Sequence, residues 1–158
     1  MKTVLTLLLG ACALVSAQSA PDGKLTIDGT PIKLTRAYAF STEGFFDKDK
    51  NDTVLILADR PLTDAQMRDG FALRDMAKEG KLAYVQETID ASGQIVSFLI
   101  GHKAFKALPS GGSTEHVFEG KQEGGAISGK VRTKGEQEFF GTKYEYDATF
   151  RAPVQPKQ

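Results

Sequence analysis

The stretch "KYEYDATFRAPV", Lys143 to Val154, decides the fold. Tyr144, Tyr146, Ala148, Phe150, Ala152 and Val154 fall on one side of a period of two. Lys143, Glu145, Asp147, Thr149 and Arg151 fall on the other. Successive side chains of a strand point to opposite faces, so this alternation predicts an antiparallel strand with one face on a core and one in water.

Working outward, the same period recurs through most of the chain. "KLTIDGTPIKL", Lys24 to Leu34, places Leu25 and Ile27 before a tight Asp28-Gly29 turn and Ile32 and Leu34 after it, a hairpin whose second arm is expected to run on through "TRAYAF". "TVLILA", Thr53 to Ala58, is apolar on both faces and is expected at the centre of a sheet covered on both sides. "KLAYVQETIDASGQIVSFLIG", Lys81 to Gly101, reads as a hairpin turning at Asp90 to Gly93, with Val96, Phe98 and Ile100 on one face of the return strand. "EHVFEG" and "AISGKVRT" supply two shorter strands.

One segment departs from this period. In "PLTDAQMRDGFALRDMAKEGK", Thr63 and Gln66 have the spacing of a capping box, and Gly80 stands where a helix C-cap is expected. Met67, Phe71, Ala72, Met76 and Ala77 form an apolar stripe between them, and Gly70 weakens the helix by about 1 kcal/mol without stopping it. The expectation is one inserted helix over about 64–79, lying across the sheet or plugging an open end of it. The fold class is therefore all-β and mainly antiparallel, a sandwich or partly closed barrel of about eight strands. The tail "RAPVQPKQ" is expected to fray after Val154, because two prolines and polar residues offer little to pair.

The first residues read as an address rather than as fold. "MKTVLTLLLGACALVSAQSA" has a basic Lys2, an apolar run from Val4 to Val15 and a small-residue exit ahead of Gln18, the pattern of a secretory leader spanning 1–17, followed by a single domain over 18–158. The run is shorter than the ~20 residues a membrane helix needs, and no second run follows. "LGAC" ending at Cys12 carries a competing reading, a lipid anchor on that cysteine. Cys12 is the only cysteine, so cleavage after Ala17 leaves none. A disulfide-free exported domain points to a bacterial periplasmic or secreted protein.

The chain has 158 residues, with 20 Lys and Arg against 20 Asp and Glu. Loss of Lys2 with the leader would leave one acid in excess. No basic stripe stands out, so no nucleic-acid partner is expected. A domain of this size buries roughly two thirds of its unfolded surface and needs neither disulfide nor metal to be stable.

The search for chemistry begins with near-misses. "GGAISGKV", Gly124 to Val131, has P-loop spacing but Val131 where Ser or Thr should hold magnesium, and strand where a helix should begin. Glu145 and Asp147 are two apart on one strand face, but they alternate with Lys143, Thr149 and Arg151 on the solvent side. His102 and His116 lack H-E-x-x-H spacing; together, or with Glu115 or Glu119 as zinc ligands, they frame the hydrolase alternative.

"DKDKND" offers Asp47, Asp49, Asn51 and Asp52 as oxygen ligands for calcium. The segment fails as an EF-hand, because Asp52 stands at the glycine position and Ala58 at the bidentate glutamate position. A looser calcium site and a solvated turn both remain as readings. The pairs Phe45-Phe46 and Phe139-Phe140 are the candidate ligand contacts, since only one member of each pair can face a core from a strand-like segment. The functional expectation is an exported, non-enzymatic binding domain for a lipid, another small apolar ligand or a protein partner. A hydrolase with its site near His102 and His116, and a calcium-binding secreted module, are the alternatives.

Overall fold

A computed structural model describes residues 20–157. The leader and the lipid-anchor reading at Cys12 lie outside these residues.

Asp28 and Gly29 both take positive φ, 46° and 77°, and so close the two-residue turn between β1 (Asp22–Ile27) and β2 (Thr30–Lys33). The second arm does not run on as the sequence suggests. At Leu34 and Thr35 the backbone changes partners: Leu34 N–H donates to Gly23 C=O and Thr35 N–H to Ala58 C=O. One residue therefore belongs to β1 and the next to a different part of the sheet, where β3 (Arg36–Glu43) pairs antiparallel with β4 (Asn51–Ala58).

Two helices follow in place of one. Thr63 and Gln66 form the expected capping box at the start of α1 (Asp64–Arg68). Asp69 then breaks the run: its backbone is extended, and its carboxylate accepts from Phe71 N–H and Ala72 N–H, both at 3.0 Å, capping α2 (Gly70–Lys78). The break shifts the apolar stripe. Met67, Leu73 and Ala77 are buried, whereas Phe71, expected in the stripe, is exposed.

The remaining strands are β5 (Tyr84–Ile89), β6 (Ile95–Gly101), the two-residue β7 (Ser110–Gly111), β8 (His116–Glu123), β9 (Ala126–Thr133), β10 (Gln137–Phe139) and β11 (Thr142–Gln155). The sheet runs β2-β1-β11-β3-β4-β5-β6-β7, with β9 and β8 branching from β11. It curls into a half-barrel, the partly closed alternative of the two architectures.

β11 makes this possible because its 14 residues serve four neighbours, beginning with β10, which pairs with residues 142–144. Residues 144–149 pair with β1 on one edge and residues 147–153 with β9 on the other. Val154 and Gln155 then pair in parallel with Ala39 and Phe40 of β3. Pro153, which has no N–H, falls where β1 has ended and β3 has not begun. Gln155, expected in the frayed tail, is thus a paired residue, and Arg68 holds it by a side-chain hydrogen bond of 3.2 Å.

The concave face carries the main core: Leu25, Leu55, Leu57, Val85, Ile100, Ile127, Tyr146 and Phe150 among others. On the convex face, Ile56, Tyr84 and Leu99 pack under Met67, Leu73 and Ala77 of the helices. "TVLILA" is covered on both sides as expected, with Leu55 and Leu57 inward and Val54, Ile56 and Ala58 under the helices. In the β5–β6 hairpin a bulge at Thr88/Ile89 pairs Ile89 with Ile95 and Thr88 with Ser97. The bulge brings Ile95 rather than Val96 against the core, ahead of Phe98 and Ile100.

Candidate functional site

Strand directions sort the loops into two ends. β3 runs parallel to β11, so the β3–β4 loop (44–50), the β5–β6 turn (90–94), the β8–β9 turn and the chain's tail gather at one end of the half-barrel. The β1–β2 turn and the β10–β11 turn lie at the other.

The two aromatic pairs are therefore not one patch. Phe45 and Phe46, at the first end, are 60% and 77% exposed and stack edge to face at 4.8 Å. Phe139 packs against the main core while Phe140, held at φ 49° in the turn, is exposed at the opposite end.

The candidate calcium ligands also gather at the first end, where Asp47 and Asp52 have carboxylate oxygens already engaged. Asp47 accepts from Asp49 N–H and pairs with Lys50 at 2.9 Å, which holds its carboxyl below the usual range. Asp52 is buried and accepts from Phe45 N–H at 2.8 Å, Asn51 is the first residue of β4, and Asp49 is exposed. Among the described residues no group of three or more His, Cys, Asp or Glu side chains is placed to hold a metal ion.

Between this loop end and β8 lies a groove of about 400 Å³. Asn51, Asp90, Ser92, Lys121 and Gln122 line it together with Ile89, Phe118 and Ile127; Ile89 and Ile127 are buried, so Phe118 is the large apolar side chain open to it. Thr53, buried in β4, donates to Gln122 Oε1 at 2.7 Å and ties the two walls together. The turn itself is braced by Asp90, whose carboxylate accepts from Ser92 N–H, Ser92 Oγ–H and Gln94 N–H. A smaller hollow of about 90 Å³ adjoins it, lined by Phe46, Asp47, Lys50, Asp52 and the same turn. The volume lies in the low end of the range for small-ligand sites, but the accessible lining is more polar than apolar, with Phe118 as its main apolar contact.

The two histidines part company. His102 sits beyond β6, where its Nδ1 accepts from Ala104 N–H; burial, with Lys103 beside it, holds it below its ordinary range. His116 points into the barrel and meets Glu87, Tyr144 and Tyr146, three residues the sequence reading did not single out. Its Nδ1 is 3.2 Å from Glu87 Oε1 and 3.0 Å from the Tyr146 hydroxyl, its Nε2 is 3.2 Å from the Tyr144 hydroxyl, and its ring stacks on Phe98 at 3.8 Å. No hydrogen bond, ion pair or ring contact joins His102 to His116 among the described residues.

The hydrogen-bond roles follow from one donor. Tyr146 gives its hydroxyl proton to Glu87 Oε1. Its oxygen and Oε1 are then both acceptors for a proton on Nδ1, and Nε2 of a neutral ring accepts from Tyr144. Burial raises Glu87 above its ordinary value, opposed by the bonds from His116 and Tyr146, and Oε2 has no partner among the described residues. Burial pushes Tyr144 up to about 12 and Tyr146 further in the same direction.

The Glu87 and His116 side chains are 0% and 1% exposed, so a substrate does not touch them. This quartet joins β5, β8 and β11 through the barrel core, which is a structural task. It was legible in part: Glu87 alternates with the inward Val85 and Ile89, and His116 precedes Phe118 by two, so each is a polar residue at an inward position.

No family model matches the chain, and no curated protein or solved structure matches it either.

Proposed function

We propose that this is an exported, non-enzymatic binding domain, periplasmic or secreted, which takes an apolar ligand or an apolar segment of a partner in the groove beside β8. The observation that carries this reading is the groove itself: a concave site of about 400 Å³ with Phe118 open to it among polar neighbours, at the end where the loops converge. The exposed Phe45 and Phe46 beside it extend the apolar surface beyond the groove. Leader-like residues 1–17 support export. The burial of His116 and Glu87 supports a role in binding over catalysis.

The test is titration of the purified protein with the apolar dye anilinonaphthalene sulfonate, followed by fluorescence. Saturable binding is expected for the wild type and lost in Asn51→Trp, which fills the rim from an exposed position, with the unfolding midpoint unchanged. Dye binding that is indifferent to Asn51→Trp places the ligand elsewhere and overturns the reading.

A further inference from the structure

β8 has an edge that no described strand uses. It pairs with β9 alone, and β6, across the seam, pairs with β5 and β7. At one end of the seam Phe98 stacks on His116 and draws β6 and β8 together without a backbone ladder. At the other end the two walls part, and the groove opens between β8 and the β5–β6 turn.

Register fixes which backbone groups face that opening. Glu123 and Ala126 close a two-residue turn at Gly124 and Gly125, whose φ values are 59° and 73°. The closing pair of such a hairpin exchanges both its hydrogen bonds, and hydrogen-bonded and non-bonded pairs alternate from there. Glu123, Lys121, Glu119 and Val117 thus spend their N–H and C=O groups on β9. Gln122, Gly120 and Phe118 turn theirs the other way, and all three line the groove.

Charge and competing edges narrow the occupant. Lys121 is paired with Glu123 at 2.6 Å and Lys50 with Asp47 at 2.9 Å, while Asp90 is taken up by its own turn. The groove's mouth is thus matched internally and favours an uncharged partner. The outer strand β2 carries Pro31, which spoils it as a template, and β7 has only two residues.

We infer that an uncharged, extended peptide segment adds to the free edge of β8 as a further strand, with an apolar side chain against Phe118. Main-chain bonds to Phe118, Gly120 and Gln122 supply affinity, and Phe118 supplies a preference for an apolar residue beside it. This partner rests on the groove being the binding site.

The probe is an acetylated, amidated hexapeptide of alternating valine and threonine, added to the purified protein and followed by amide hydrogen exchange. The expected result is exchange slowed at least about tenfold at the Phe118, Gly120 and Gln122 amides, with Val117, Glu119 and Lys121 unchanged because β9 already holds them. A peptide N-methylated at its valines, whose amides would face β8, is expected to lose this protection. Uniform protection, protection elsewhere, or binding that survives methylation overturns strand addition. If the apolar dye binds at the groove and the peptide does not, strand addition fails while the small-ligand reading stands; if neither binds, both fail.

Discussion

Glu87 sits at 0% exposure with one oxygen receiving two donors and the other none. Its folded value is raised by burial, so its contribution to stability is full below the ordinary carboxylate range and is lost as pH rises through the folded value. Glu87→Gln removes that titration. The stability of the wild type relative to Glu87→Gln is therefore expected to fall as pH rises above the ordinary carboxylate range, read by urea unfolding, and a difference that stays flat with pH would contradict this account. His116→Ala removes one of the two donors to Glu87 Oε1, leaving Tyr146, and takes from Tyr144 its buried partner; it is expected to cost about 3 kcal/mol by the same measurement. Tyr144 contributes stability below its ordinary value of 10, and this is lost as pH rises through about 12. Its phenolate absorbance is expected to appear together with unfolding, not before it. Each of these residues lay at an inward position of its strand, but their meeting is a contact between segments 28 to 59 residues apart.

At the scale of elements, the helical segment shows how a single side chain overrides a pattern. The apolar spacing through 64–79 favours one continuous helix. Asp69 instead competes for the backbone, ending α1 and capping α2 with one carboxylate oxygen. Asp69→Ala is expected to lower stability by about 1 kcal/mol, or roughly 3 °C in midpoint, through the lost cap. A rise in midpoint would mean that the continuous helix is the better packed form. The bulge at Thr88/Ile89 acts similarly on β6, since one extra residue turns Ile95 inward in place of Val96. Periodicity located these elements but not the interruptions, because a cap or a bulge is decided by which hydrogen bonds the surroundings leave open.

Across the whole molecule, the half-barrel depends on the last residues of β11. Val154 and Gln155 make the parallel joint to β3, and Arg68 reaches both Gln155 and the Pro156 carbonyl. Ending the chain at Pro153 is expected to cost about 2 kcal/mol and to speed amide exchange at Ala39, whose N–H faces β11, while Phe40 stays bonded to β4. Unchanged exchange at Ala39 would show that the joint carries no load. The loop at 44–50 bears on the calcium reading in the same way. With Asp47 and Asp52 engaged by Lys50 and by backbone amides, millimolar calcium is expected to leave the thermal midpoint where chelator leaves it. A rise that disappears in Asp47→Asn would establish a metal loop there.

The sequence by itself determined the local structure: the strands, the Asp28-Gly29 and Asp90 to Gly93 turns, the doubly covered "TVLILA", and the inward face of β11. These follow from side-chain alternation and turn chemistry, which act over a few residues. Tertiary structure alone decided that the sheet curls into a half-barrel, that β11 bridges its two sides, and that Phe45-Phe46 and Phe139-Phe140 lie at opposite ends. It also decided that His116 closes onto Glu87 and the tyrosines while the outer edge of β8 is used by no described strand. The physical reason is that strand order and closure depend on which distant edges meet, and the pairing groups are backbone N–H and C=O, the same in every residue but proline.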